Sequence, residues 1–85
     1  MTTFQYDVKR KLGLHARPAA LFATRVRESG ANVSVTCEGK TVDASQMKNL
    51  LGLSIKSGDQ FTVSIEGDDE EKLAAYLRSI CEENL

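Results

Sequence analysis

His15 and Pro18 are the only histidine and the only proline in the chain, and both stand in Gly13-Leu14-His15-Ala16-Arg17-Pro18-Ala19-Ala20, where an apolar helical pattern begins. An imidazole at a helix start faces unpaired backbone N–H groups and the positive end of the helix dipole, so an anion bonded to its ring is stabilised there. Arg17, two residues on, adds a planar donor fork matched to phosphate oxygens. Together these residue types offer phosphoryl transfer through a histidine. A neutral ring at His15 supplies the nucleophile, and the Ala16 and Arg17 N–H groups with the guanidinium take up the charge that arrives with the phosphate. A lone histidine at a helix start is more often a cap or a surface residue; the neighbouring Arg17 and Pro18 set this one apart.

Charge narrows the partners. The formal net charge of the chain is -1, so there is no global field of the kind that recruits nucleic acid. Residues 1–40 nevertheless hold seven Lys or Arg against three acids, and 41–85 hold four against nine. The basic half carries His15, which fits an anionic substrate or an acidic partner surface. No apolar run approaches the roughly 18 residues of a membrane span, and no signal-peptide pattern opens the chain. The expected location is the cytoplasm. Cys37 and Cys81 are far apart, lack metal-ligand spacing and fall on apolar positions, which predicts buried free thiols.

Elements must hold this turn in place. Residues 3–10 alternate Phe4, Tyr6 and Val8 with polar neighbours, the period of a half-buried strand, and a basic loop, Lys9-Arg10-Lys11-Leu12-Gly13, follows. From Ala16 the apolar positions Ala19, Phe22, Ala23 and Val26 predict a helix of about three turns, closed by Ser29-Gly30, with Pro18 tolerated in its first turn. Val33, Val35 and Cys37 form a second strand, turned by Glu38-Gly39-Lys40 into a short strand Thr41–Asp43. A short helix is expected from about Gln46 to Gly52, then a last strand with Phe61, Val63 and Ile65 inward. Asp68 is placed to cap the final helix, with Glu71 three residues later; this acidic run reads as a solvated helix start, not a metal site. Leu73, Leu77, Ile80 and Cys81 trace the apolar stripe of that helix, with Tyr76 at its edge. The order is that of one α+β domain over residues 1–85, an antiparallel sheet covered on one face by helices.

The string Gly13-Leu14-His15-Ala16-Arg17-Pro18-Ala19, with Gly39-Lys40-Thr41-Val42 and Lys56-Ser57-Gly58, resembles the HPr family, the histidine phosphocarriers of the bacterial phosphoenolpyruvate-dependent sugar phosphotransferase system. The likeness covers the whole chain. It implies an open-faced β-sandwich: four antiparallel strands in the order 1-4-2-3 under three helices. His15 would take a phosphoryl group on Nδ1 from phosphorylated enzyme I and pass it to the EIIA domain of a sugar transporter, with Arg17 as its charge partner. No cofactor or metal is implied, and the chain is expected to act as a monomer, as a carrier and not as a turnover enzyme. The resemblance also assigns partner docking to Ala16, Arg17, Ala20, Arg27, Met47, Lys48 and Leu51, an apolar centre rimmed by cations suited to a transient encounter.

Two positions depart from the family pattern. Gln46 stands where many members carry a regulatory serine phosphorylated by an ATP-dependent kinase, so that switch is expected to be absent. Ser45 beside it is a poor substitute, since one step along a helix start turns a side chain by about 100°. Lys48 stands where relatives present an apolar residue, which opens the choice of partner. The alternatives are an HPr-like regulatory binding protein, or a carrier for a nitrogen-related or dihydroxyacetone branch. Met47 and Leu51 are expected to be partly exposed and Leu50 to be core.

Overall fold

The computed structural model describes residues 1–85. Strand β1 (Thr2–Asp7) leads into helix α1 (Ala16–Ser29); β2 (Asn32–Cys37) and β3 (Lys40–Asp43) form a hairpin; α2 (Met47–Gly52) precedes β4 (Gln60–Glu66), and α3 (Glu70–Asn84) ends the chain of elements. The four strands make one sheet in the order β1-β4-β2-β3, every neighbouring pair antiparallel. This is the open-faced sandwich expected from the resemblance.

Register turns the period-2 alternation into two faces. Phe4, Val63, Val35 and Val42 stand in one row across the sheet, and Gln5, Thr62, Thr36 and Thr41 in the next. The first row faces the helices and joins a core that includes Phe22, Val26, Leu50, Leu77 and Ile80. The second row lies on the open side, where the Thr36 and Thr41 hydroxyls share a hydrogen bond of 2.7 Å. Cys37 and Cys81 are buried and free, as their apolar positions predict. Burial pushes the Cys81 thiol up to about 12, which leaves it inert as a nucleophile.

Two boundaries, the end of β1 and the cap of α3, differ from the sequence expectation, and each has a tertiary cause. β1 stops at Asp7 instead of continuing to residue 10, because the main chain turns to other partners: the Val8 N–H donates to the Asp59 carbonyl and the N–H groups of Lys9 and Arg10 both donate to the Leu85 main-chain oxygen, each at 2.7 Å for the latter pair. α1 runs 14 residues from Ala16 and is closed at Ser29-Gly30 as the sequence indicates, Gly30 taking the left-handed conformation (φ 72°). Asp68 does not cap α3. Asp69 is the N-cap, itself left-handed at φ 54° and without a side-chain cap bond. The Glu70 carboxylate serves the helix start instead, accepting from the Gly67 N–H, the Thr2 hydroxyl and the Met1 amine. Smaller shifts are that β3 begins at Lys40 and that Gln46 is the N-cap of α2, not its first residue.

Candidate functional site

His15 is the N-cap residue of α1, in extended conformation (φ -113°, ψ -174°), and its side chain makes no capping bond. The ring is thus not used to close its own helix. Its carbonyl accepts the Ala19 N–H at 3.0 Å, which starts the helical ladder. Pro18 has no N–H, so the first turn presents the N–H groups of Ala16 and Arg17, neither of which has a partner in the protein. His15 is partly exposed and Arg17 exposed, while Pro18 and Ala19 are buried and fix the turn to the core. Imidazole, guanidinium and two free amides therefore face water at one helix end, the arrangement expected for holding a phosphate.

The turn is held from three sides. Gly13 has φ 63°, and a Cβ there would lie 2.6 Å from the Ile55 carbonyl oxygen and 2.8 Å from the Lys56 Cα, so a side chain at this position is excluded by both conformation and space. The Leu14 N–H donates to that same Ile55 carbonyl at 3.1 Å, tying the turn to the segment after α2. On the other side, the Leu85 oxygen receives the Lys9 and Arg10 amides, and the Arg10 guanidinium reaches the Glu83 carbonyl at 2.8 Å. Leu85 also buries its side chain in the core. The ends of α2 and α3 so become the frame of the histidine turn.

A cleft of about 360 Å³ opens beside the ring, lined by His15, Arg17, Arg10, Lys11, Leu12 and Asn84 among others. Arg10, Lys11, Leu12 and Asn84 were absent from the sequence-derived site. The run Lys9-Arg10-Lys11 was a signal for part of this, but nothing local places Asn84 and Leu85 against it, because they arrive through the packing of α3. The residues to which the resemblance assigns docking fall along the α1 and α2 surfaces. Ala16, Lys48 and Arg27 are exposed, Ala20 and Leu51 half-buried, and Met47 is 38% exposed, whereas Leu50 is in the core. The Arg27 guanidinium donates to the Ser45 carbonyl at 2.8 Å and so pins the start of α2 to α1. Ser45 gives its N–H to Asp43 Oδ1 at 2.9 Å, and this bond, with the Ser45 hydroxyl second, holds the Asp43 carboxyl below its usual range. Gln46 is exposed at the cap position.

Comparison with known proteins gives the same frame. The family model described as "PTS HPr component phosphorylation site" matches residues 2–83. The HPr-like protein Crh of Bacillus subtilis is 37% identical over 82 residues, covering 92% of this chain and 96% of that relative. The phosphocarrier protein HPr of Lysinibacillus sphaericus is 32% identical over 83 residues, 98% of this chain and 94% of its own length. Among solved structures, HPr of Thermoanaerobacter tengcongensis superposes with a TM-score of 0.90 at 34% identity, covering 96% of this chain and 92% of that one. A match that runs through every strand, every helix and the histidine turn shows that the chain belongs to the HPr family of phosphocarriers, proteins that serve the phosphotransferase system and are not enzymes in their own right.

Proposed function

We propose that this chain accepts a phosphoryl group on Nδ1 of His15 from phosphorylated enzyme I, ultimately from phosphoenolpyruvate, and donates it to an EIIA domain for sugar uptake. The observation that carries the proposal is the combination at one helix start of an uncapped His15, the unpaired Ala16 and Arg17 N–H groups and the exposed Arg17 guanidinium. Nδ1 is the ring nitrogen nearer its own main chain, so a phosphate there comes within reach of those amides. In the transfer, the Nδ1 lone pair forms the bond to phosphorus as the bond to the donor atom breaks. The amides and the guanidinium take the charge on the equatorial oxygens, and the onward step runs the same geometry in reverse. Pro18 and Gly13 hold the turn so that little reorganisation accompanies either step.

One chain carries the whole constellation, so the proposed acting unit is the monomer, met in turn by each partner on the face of Ala16, Ala20, Arg27, Met47, Lys48 and Leu51. A second reading follows from the likeness to Crh, a protein named as HPr-like: docking alone would regulate another enzyme. Enzyme I with phosphoenolpyruvate decides between them. The carrier reading expects an acid-labile phosphate on the chain, its loss in His15→Ala, and its discharge by a sugar-specific EIIA. No phosphate on the wild-type chain would favour the regulatory reading, and discharge only to a nitrogen-branch or dihydroxyacetone-branch acceptor would reassign the pathway.

A further inference from the structure

Leu12 is 76% exposed, the most exposed large apolar side chain after Met1, and it lies on the rim of the His15 cleft. An isolated exposed leucine is ordinary; its surroundings here are not. It sits on a loop whose main chain is fixed at both ends, by the Lys9 and Arg10 bonds to Leu85 on one side and the Gly13 and Leu14 contacts with Arg10 and Ile55 on the other. A side chain on a fixed loop loses less freedom on docking than one on a mobile loop. Residues 9–17 also hold Lys9, Arg10, Lys11 and Arg17 and no acid. Arg10 is turned away to the Glu83 carbonyl, which leaves Lys11 and Arg17 as the free cations on either side of Leu12.

The geometry points to Leu12, on the rim of a cleft that His15 lines and no residue of α2 does, as a second apolar anchor of the docking surface, and to a protein partner whose face carries an apolar pocket bordered by carboxylates on the Leu12 side. This rests on the carrier reading and extends it. The α1–α2 face alone would let a partner approach from one side of the histidine; an anchor on the β1–α1 loop makes the partner straddle the ring, which fixes the line of attack and covers the reacting atoms from water. Lys11 and Arg17, the two cations of the cleft rim that are in no ion pair or hydrogen bond, favour an acidic protein surface, and the cleft beside the ring gives that surface a concave place to seat.

The test uses the whole chain with enzyme I of the source organism and phosphoenolpyruvate. Leu12→Ala is expected to lower kcat/KM for phosphoryl acceptance about tenfold, with the loss carried by KM, as befits an apolar anchor lost from a docked state. Lys11→Glu is expected to lower it as well and to weaken its dependence on salt. Tyr76→Ala, which removes another exposed apolar side chain on α3 away from the cleft, is expected to leave it unchanged. Because Leu12 is exposed, thermal stability of Leu12→Ala should match the wild type, so a changed rate is not a folding defect. A KM within twofold of wild type in Leu12→Ala, with the wild type phosphorylated, overturns the anchor and leaves the carrier reading standing; no phosphorylation of the wild type overturns both. Loss of binding to vesicles of anionic phospholipid in Leu12→Ala, with KM unchanged, would overturn the protein partner in favour of a membrane surface.

Discussion

Arg17 is the residue on which the charge argument for His15 depends most. It is exposed, makes no ion pair in the structure and stands two residues into a helix whose first amides are free. Removing a donor to a developing phosphate charge costs on the order of a hundredfold in rate, so Arg17→Ala should slow phosphoryl acceptance by about that factor, and Arg17→Lys by less, when single-turnover transfer from enzyme I is followed. Equal rates for the three proteins would remove Arg17 from the mechanism. Gly13 makes a structural counterpart. A Cβ at φ 63° and 2.6 Å from the Ile55 oxygen should cost about 2 kcal/mol or more in urea unfolding of Gly13→Ala, and the displaced turn should slow transfer as well. His15, Arg17 and Pro18 were legible in the sequence because their meaning is local: a helix start is written in residues next to one another. Leu12 and Asn84 were not, since the rim of the cleft is made by a loop and a helix end that are about seventy residues apart and meet only in the folded chain.

At the scale of elements, the alternation of apolar residues in β1, β2 and β4 predicted the sheet, whereas the strand order came through the family resemblance, because pairing of β1 with β4 is a long-range choice that periodicity does not encode. Capping of α3 shows the same limit. Asp68 and Glu71 fit the local capping rule, yet the helix is served by Glu70 through bonds from Met1 and from Thr2 at the start of β1, partners no local rule contains. That tie has a pH signature. Hydrogen bonds from the Met1 amine first, then from Thr2 and the Gly67 N–H, hold the Glu70 carboxyl below its usual range. The unfolded chain takes up this proton more readily, so the contribution is present above the unfolded value and is lost as the pH falls from about 5 through the folded value. The same bond raises the Met1 amine, whose share is complete below its ordinary value of 8.0 and fades as the pH rises past the folded one. Glu70→Gln should therefore flatten the dependence of the urea midpoint on pH on the acid side; identical profiles for variant and wild type would show that the tie contributes nothing. The α2 start carries a further prediction. Gln46 has no hydroxyl, and the Ser45 main chain is committed to Asp43 and Arg27, with the Asp43 carboxylate close enough to repel an added phosphate. Incubation with an ATP-dependent HPr kinase should add no phosphate by intact mass, and a gain of one phosphate would contradict this.

Across the whole molecule, the cations of the histidine turn and the acidic start of α3 are far apart. The end of α3 meets the histidine turn through Glu83 and Leu85, so the acidic start of the helix, Asp68 to Glu71, lies about 22 Å away by the rise of its 15 residues. The basic loop and Arg17 thus stand at one end, with Glu82 and Glu83 of the α3 terminus nearby, and the acidic run 68–71 at the other, although the net charge is only -1. Such a distribution would orient an acidic partner toward His15 during approach, an attraction screened over about 8 Å at physiological salt. Phosphoryl acceptance should slow as salt is raised, mainly through the association rate; a rate independent of ionic strength would remove steering from the account. The central claim, that His15 carries the phosphoryl group on Nδ1, is met most directly by long-range proton–nitrogen NMR of the 15N-labelled chain after treatment with enzyme I and phosphoenolpyruvate. Phosphorus coupling and a large shift confined to Nδ1 of His15 are expected. An unchanged ring spectrum, or phosphorus on Nε2 or on another residue, would contradict it.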